Sequence, residues 1–215
     1  MRIINCEQRS AEWYHAITGS LGASQVHDSM SRLKSGPKKG ERSFESKTVM
    51  GRLAVERLTG TLQDSYVSKP MQDGIDREPA ARAAYSFYAD TDVEQVGLVL
   101  HPSIDWTHAS PDGLAGDDGL VEIKCPTGPT HLDVLLSKTV PEKYVTQIMW
   151  QLACTGRAWC DFVSYDPNFP EDLCLWIKRV ERDDERIAKL EDMVREFLAE
   201  LDEKLAAIQA LREAA

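Results

Sequence analysis

The segment from Ser110 to Pro126 leaves the backbone little choice. Nine residues separate Asp112 from Glu122, and the Asp117-Asp118-Gly119 run between them is a strong hairpin-turn signal. The stretch reads as strand, turn, strand. Side chains alternate across a strand, so Glu122 and Lys124 share one face while Val121 and Ile123 take the other. Pro126 lacks an amide hydrogen and limits the second strand soon after Lys124, and Gly113 is expected to let the first segment turn away just beyond Asp112. Asp112, Glu122 and Lys124 then converge at one end of the hairpin.

That trio has a definite chemistry. Magnesium takes oxygen ligands, usually one or two carboxylates with several waters, and a substrate phosphate completes its octahedron. Asp112 and Glu122 fit as protein ligands, with the backbone carbonyl of Ile123 as a third. Lys124 would lie beside the attacking water and a scissile phosphate. There it could orient the nucleophile, stabilise charge developing on phosphorus, or act as a base if the cation lowers its pKa. All three roles stay open. An Asp-Gly turn and a Glu-x-Lys strand also occur as ordinary surface features, so the flanking residues decide the matter.

Six separated motifs fall in order along the chain. They are Glu12-Trp13 with Gly22-Ala23-Ser24-Gln25-Val26, then Gly74 with Glu78, Ser110-Pro111-Asp112-Gly113-Leu114, Glu122-Ile123-Lys124-Cys125-Pro126, Tyr144-Val145-Thr146-Gln147, and Tyr165-Asp166-Pro167. This pattern resembles the PD-(D/E)xK nuclease core. Beyond that it resembles the phage lambda exonuclease family of viral recombination nucleases, the YqaJ-like viral recombinases, from Trp13 to about Val180.

The resemblance implies a restriction-endonuclease-like α/β core, a central mixed β-sheet flanked by helices, as one domain over residues 1–215. It implies a magnesium-dependent 5′-to-3′ exonuclease that digests one strand of linear duplex DNA and leaves 3′ tails for recombination by strand annealing. Two magnesium ions per site are expected, with manganese able to substitute. Glu78 would join Asp112, Glu122 and Lys124 in catalysis, and Ser24, Ser110 and Gln147 would touch the scissile or neighbouring phosphates. The implied partners are duplex DNA ends, two further copies in a ring-shaped homotrimer, and a single-strand annealing protein. The setting would be a bacterial host's cytoplasm, with the gene carried by a phage or prophage. One departure stands out: the family commonly has an arginine for the terminal 5′-phosphate four residues after the tryptophan, and here that residue is Ile17. Arg9, Arg32 and Lys34 are the nearest substitutes in sequence. The same metal site would also serve a structure- or sequence-selective endonuclease, and a degenerate site would leave a non-catalytic DNA-end-binding module.

The net charge of -10 sits awkwardly with DNA binding, where phosphate neutralisation supplies most non-specific affinity. The charge is polarised along the chain. From Arg32 to Arg57 eight basic residues face three acidic ones, and from Glu181 onward eleven acidic residues face six basic. A basic lumen with an acidic outer face would reconcile these. Five cysteines without a Cys-x-x-Cys pair argue against a disulfide framework or a zinc site. The five histidines are scattered, although His108 lies close to Ser110. No apolar run of membrane-spanning or signal-peptide length appears, which points to an unexported protein without a membrane anchor.

Periodicity predicts helices over about 11–33, 44–59 and 72–89, and strands near 93–101, 106–110, 120–125, 159–165 and 173–180. Thr139-Val140-Pro141-Glu142 has capping-box spacing and should open a helix to about Thr155. On that helix Gln147 can face the site, while Gln151 reads as an exposed polar residue. A long C-terminal helix places Ile187, Leu190, Val194, Phe197, Leu201, Leu205 and Ile208 on one stripe.

Overall fold

The structure, a computed structural model, describes residues 1–63 and 68–214. In chain order its elements are β1 (Arg2–Ile4), α1 (Ala11–Ile17), β2 (Leu21–Gly22), α2 (Ala23–Ser29), α3 (Phe44–Thr59), α4 (Lys69–Ala89), β3 (Val93–Glu94) and β4 (Leu98–Leu100). There follow β5 (Thr107–Ala109), β6 (Gly113–Ala115), β7 (Gly119–Lys124), α5 (Gly128–Ser137), α6 (Glu142–Thr155), β8 (Trp159–Tyr165), β9 (Leu175–Glu181) and α7 (Asp184–Glu213). The strands form two mixed sheets rather than the one expected. The first has the order β1-β4-β5-β2 and the second β3-β6-β7-β8-β9.

The second sheet carries the hairpin read from sequence, with β6 antiparallel to β7 and Gly113 opposite Val121. Two details differ. The connection is the three residues Gly116-Asp117-Asp118, with Gly116 in the left-handed region at φ 52°, while Gly119 already pairs with Ala115. Gly113 does not turn the chain away either, because it is a strand residue. A Cβ there would come 2.2 Å from Val93 Cγ1 and 3.0 Å from Val121 Cγ1, so the glycine leaves room for β3 and β7 to pack.

β7 is parallel to β8, which is antiparallel to β9. A parallel pair needs a long crossover, and α5 and α6 supply it. On one side of the second sheet Val121, Ile123 and Val163 pack with Ala81 and Tyr85 of α4. On the other, Leu120 and Phe162 join the main core around Ile148, Trp150 and Leu152 of α6, which also takes in Val26, Leu53, Val99 and α7. α6 is buried continuously from Ile148 to Thr155.

Several boundaries differ for physical reasons. The predicted 11–33 helix is split by β2, where Leu21-Gly22 pair in parallel with Thr107-His108. The predicted 93–101 strand is likewise divided into β3 and β4, which belong to different sheets. α6 is capped by Pro141 with no side-chain hydrogen bond, so the Thr139 capping box does not form. Charge separated along the sequence is brought together in space. Arg42 makes a two-pronged bond to Glu200, at 2.6 and 2.8 Å, Arg32 pairs with Glu196, and Arg57 with Asp202. The acidic C-terminal helix thus pairs with three of the eight basic residues of the 32–57 segment.

Candidate active site

Strand alternation turns Glu122 toward α6, where it is 1% exposed. A buried carboxylate is costly unless its oxygens are bonded, and α6 provides the donors. Gln147 Nε2 donates to Glu122 Oε1 at 2.7 Å and Gln151 Nε2 to Oε2 at 2.6 Å. The Lys124 ammonium also sits against Oε1. Residues four apart on a helix lie on the same face, so both amides reach one carboxylate. Gln151 is therefore not the exposed polar residue expected. It is fully buried, and its Oε1 has no hydrogen-bond partner among the described residues.

Asp112 lies immediately before β6, facing the end of β7. Its Oδ2 accepts from the Ile123 N–H at 2.6 Å. Partners in an antiparallel ladder exchange both bonds, so a residue's N–H and C=O point to the same edge. The Ile123 carbonyl accordingly shares the edge that Asp112 occupies. Arg82 Nε donates to the Asp112 carbonyl at 3.0 Å, and Gln8 Nε2 donates to the Pro111 carbonyl at 3.0 Å. Burial, then repulsion from Glu122, pushes the Asp112 carboxyl up to about 8, against the pull of Lys124. For Lys124 burial works to lower the pKa, but Glu122 and Asp112 outweigh it and hold the ammonium above the ordinary lysine range. As the protein stands, Lys124 is a cationic donor.

Glu78 reaches the same region from α4. Gly74, one turn earlier, sets how closely that helix approaches, since a Cβ there would meet the Cys125 carbonyl at 3.3 Å. The Glu78 carboxylate is bridged between Arg9, at 2.8 Å, and Arg82, at 2.6 Å. Arg9 holds a left-handed backbone at φ 67°, a conformation that costs a non-glycine residue roughly 1 kcal/mol or more.

Two adjoining cavities meet at Asp112, Ser24 and Gln147. One, of about 670 Å³, also takes in Glu78, Ile123 and Lys124. The other, of about 360 Å³, includes Trp13, Ile17, Arg52, His108 and Ser110. The structure thus gathers all eight residues singled out from sequence, with Glu122 just behind the cavity wall. The Ser110 hydroxyl accepts from Trp13 Nε1 at 3.1 Å. His108 bonds Ser20 at 2.8 Å rather than either carboxylate, and burial lowers its pKa to about 4.

The donor set fits a divalent cation. Two carboxylates crowded beside one ammonium leave Asp112 hard to ionise, and a cation between them would relieve that. Glu122 uses three of roughly four acceptor positions, and Ile123 offers a carbonyl. Among the described residues no three Asp, Glu, His or Cys side chains cluster as ligands, so backbone and solvent would complete the shell, as magnesium allows. Sequence reasoning passed over Gln8 and Arg82 and took Gln151 for a surface residue. Arg82 was within reach, because it lies four residues after Glu78 on a helix, the spacing of an ion pair.

A mixed sheet holding two carboxylates and a lysine at the mouth of a cleft, flanked by helices, defines the PD-(D/E)xK nuclease class. The YqaJ-like viral recombinase domain matches residues 12–158, and the chain belongs to that family. It is similar to LHK-Exo, an alkaline exonuclease from Laribacter hongkongensis, with 40% identity and a TM-score of 0.88. In the crystal structure with dAMP the match covers 96% of this chain and 100% of that one, and in a second structure 95% and 99%. A phage-related exonuclease from Haemophilus somnus 129PT shares the fold at 16% identity and a TM-score of 0.70, covering 88% of this chain and 96% of that one. No curated protein matches.

Proposed function

We propose that residues 1–215 form one exonuclease domain that digests one strand of linear duplex DNA from its 5′ end with magnesium, manganese substituting. The observation that carries this reading is the convergence of Asp112, Glu122 and Lys124 at the cleft, in a chain 40% identical to an alkaline exonuclease along nearly its whole length. That relative was crystallised with dAMP, the kind of mononucleotide an exonuclease releases.

Asp112, Glu122 and the Ile123 carbonyl would hold one or two ions, and Glu78 would contribute once a guanidinium moves off it. When bound, the metal supplies charge stabilisation for phosphorus and a lowered pKa for the attacking water. The rest falls to the chain. Gln147 and Gln151 fix the orientation of the Glu122 carboxylate at the edge of the cleft. Lys124 donates to a scissile-phosphate oxygen or orients the water, two of the three roles open from sequence. Ser24, Ser110 and Gln147 line the path of the strand.

The biological reading follows from the family. The 3′ tail left behind would pass to a single-strand annealing protein in a bacterial cytoplasm, under phage or prophage control. No helix among the described residues is long and apolar enough to cross a membrane. A domain of this length has a radius of gyration of roughly 17 Å, too small to surround a duplex, so a ring-shaped homotrimer would be needed to thread it. The test is digestion of duplex labelled separately at each 5′ and 3′ terminus, alongside covalently closed circles and a sedimentation mass. The reading expects loss of 5′ label first as mononucleotide, intact circles and a trimer mass. Cut circles would favour the endonuclease, and a monomer would remove the ring.

A further inference from the structure

One guanidinium holds both acidic residues that enter the cleft from outside β7. From α4, Arg82 Nη2 donates to Glu78 Oε1 at 2.6 Å and Arg82 Nε to the Asp112 main-chain carbonyl at 3.0 Å. Asp112 lies one residue beyond the pairing of β6 with β3 and β7, so the ladder does not fix that carbonyl. The remaining donors of Arg82 are held as well. With the Gln95 amide turned oxygen-inward, as the surrounding donors require, that oxygen accepts from Nη1 at 3.1 Å and Nη2 at 3.3 Å. Gln8 Nε2 adds a second tie to the same segment, bonding the Pro111 carbonyl at 3.0 Å and the Val96 carbonyl at 2.8 Å.

Arg82 acts from behind the site. It lines a third cavity, of about 270 Å³, with Gln8, Arg9 and Gln95, and is not among the described residues that line either cleft cavity. It therefore positions other groups rather than meeting substrate. Arg9, the other guanidinium on Glu78, is placed differently. It reaches Oε2 at 2.8 Å, its side chain is 43% exposed against 13% for Arg82, and it lines both cleft cavities. Of the two, Arg9 is the one that can give way and release Oε2, while Arg82 keeps Oε1.

A guanidinium is planar and its donors sit in a fixed fork. Bonding Glu78 and Asp112 through different nitrogens of one fork sets how far α4 stands from the start of β6. An ion held by both carboxylates must fit that gap. Magnesium is small and demands near-ideal octahedral geometry, whereas calcium accepts longer and more varied ligand distances. We propose that Arg82 is a positioning residue that fixes the spacing of Glu78 and Asp112 and thereby selects magnesium over calcium. This rests on the reading of the cleft as a magnesium-dependent exonuclease site.

The test is the dependence of the melting temperature on magnesium and on calcium, without DNA, for wild type and Arg82→Lys, whose single ammonium lacks the fork. Melting in EDTA first checks folding. In the variant the half-saturating magnesium concentration should rise by about 10- to 100-fold, the range for groups that orient metal ligands. The calcium value should rise by less than about threefold, given that ion's tolerance of geometry. In a Glu78→Gln background, where the spacing has lost one of its two carboxylates, Arg82→Lys should change magnesium binding by less than about threefold, the non-additivity of residues that act as a unit. Selectivity is read a second way, as calcium inhibition of nucleotide release in saturating magnesium, where the variant should need about tenfold less calcium. If Arg82→Lys fails to fold, Gln95→Leu, which loosens the same guanidinium, carries the comparison and should shift selectivity in the same direction. Equal weakening of both ions, or unchanged selectivity, in a folded variant would overturn the assignment. Absence of magnesium-supported release by wild type counts against the exonuclease reading, whereas release with selectivity unmoved by the variant counts against Arg82 alone.

Discussion

Glu122 has almost no freedom: two amides and an ammonium hold its two oxygens in a setting that is 1% exposed. Removing one amide strands a buried charged atom, a cost of about 1–3 kcal/mol, and lets the carboxylate rotate. Gln151→Leu should therefore lower magnesium-supported nucleotide release by roughly 10- to 100-fold, the usual range for groups that orient metal ligands, and a magnesium titration of the variant should show a raised half-saturating concentration. Wild-type kinetics in Gln151→Leu would mean that Gln147 and Lys124 suffice. The pH response follows from Asp112, whose carboxyl is pushed up to about 8. Because the folded pKa lies above the unfolded value of about 3.9, its contribution is complete below about pH 4 and is lost as pH rises through about 8. A divalent cation needs the ionised form, so magnesium should raise the melting temperature more at pH 9 than at pH 6, and Asp112→Asn should abolish the difference. Equal shifts at both values would contradict this placement. At this scale the reactive residues were legible in the sequence, since Asp112, Glu122 and Lys124 need only a hairpin and a two-residue period. Gln151 was not, because nothing in the sequence says that α6 is covered on nearly every side.

Elements show the same division. α3 and β8 have the bounds that periodicity predicted, because each carries its own pattern and ends. β1 and β2 are two or three residues long and exist only through β4 and β5, which no local signal encodes. α5 went unread although Thr127 precedes it and Pro129 lies in its first turn. The C-terminal stripe is buried from Ile187 to Leu201, still packs on the core at Leu205, and runs out by Ile208, which is 42% exposed. Phe197→Ala should cost about 3–5 kcal/mol, whereas Ile208→Ala should stay within about 0.5 kcal/mol, as read from denaturant midpoints. A large loss at Ile208 would show that α7 buries its far end against another copy.

At the scale of the molecule, two sheets, α4 and α6 meet so that a charged strand face lies at the junction of two cavities. The long-range pairs between α7 and the basic segment tie Arg32, Arg42 and Arg57 to the fold in a chain of net charge -10. On the proposed function, DNA contact would rely on the cleft more than on bulk charge. The central claim is that Asp112 and Lys124 form one cutting site, and its most direct test is nucleotide release from linear duplex in magnesium by wild type, Asp112→Asn and Lys124→Ala, each shown by melting to be folded. The account predicts rapid release by wild type and at least about a thousandfold loss in both variants, as expected where metal activation and charge stabilisation provide most of the rate. Near wild-type release by either folded variant would contradict it.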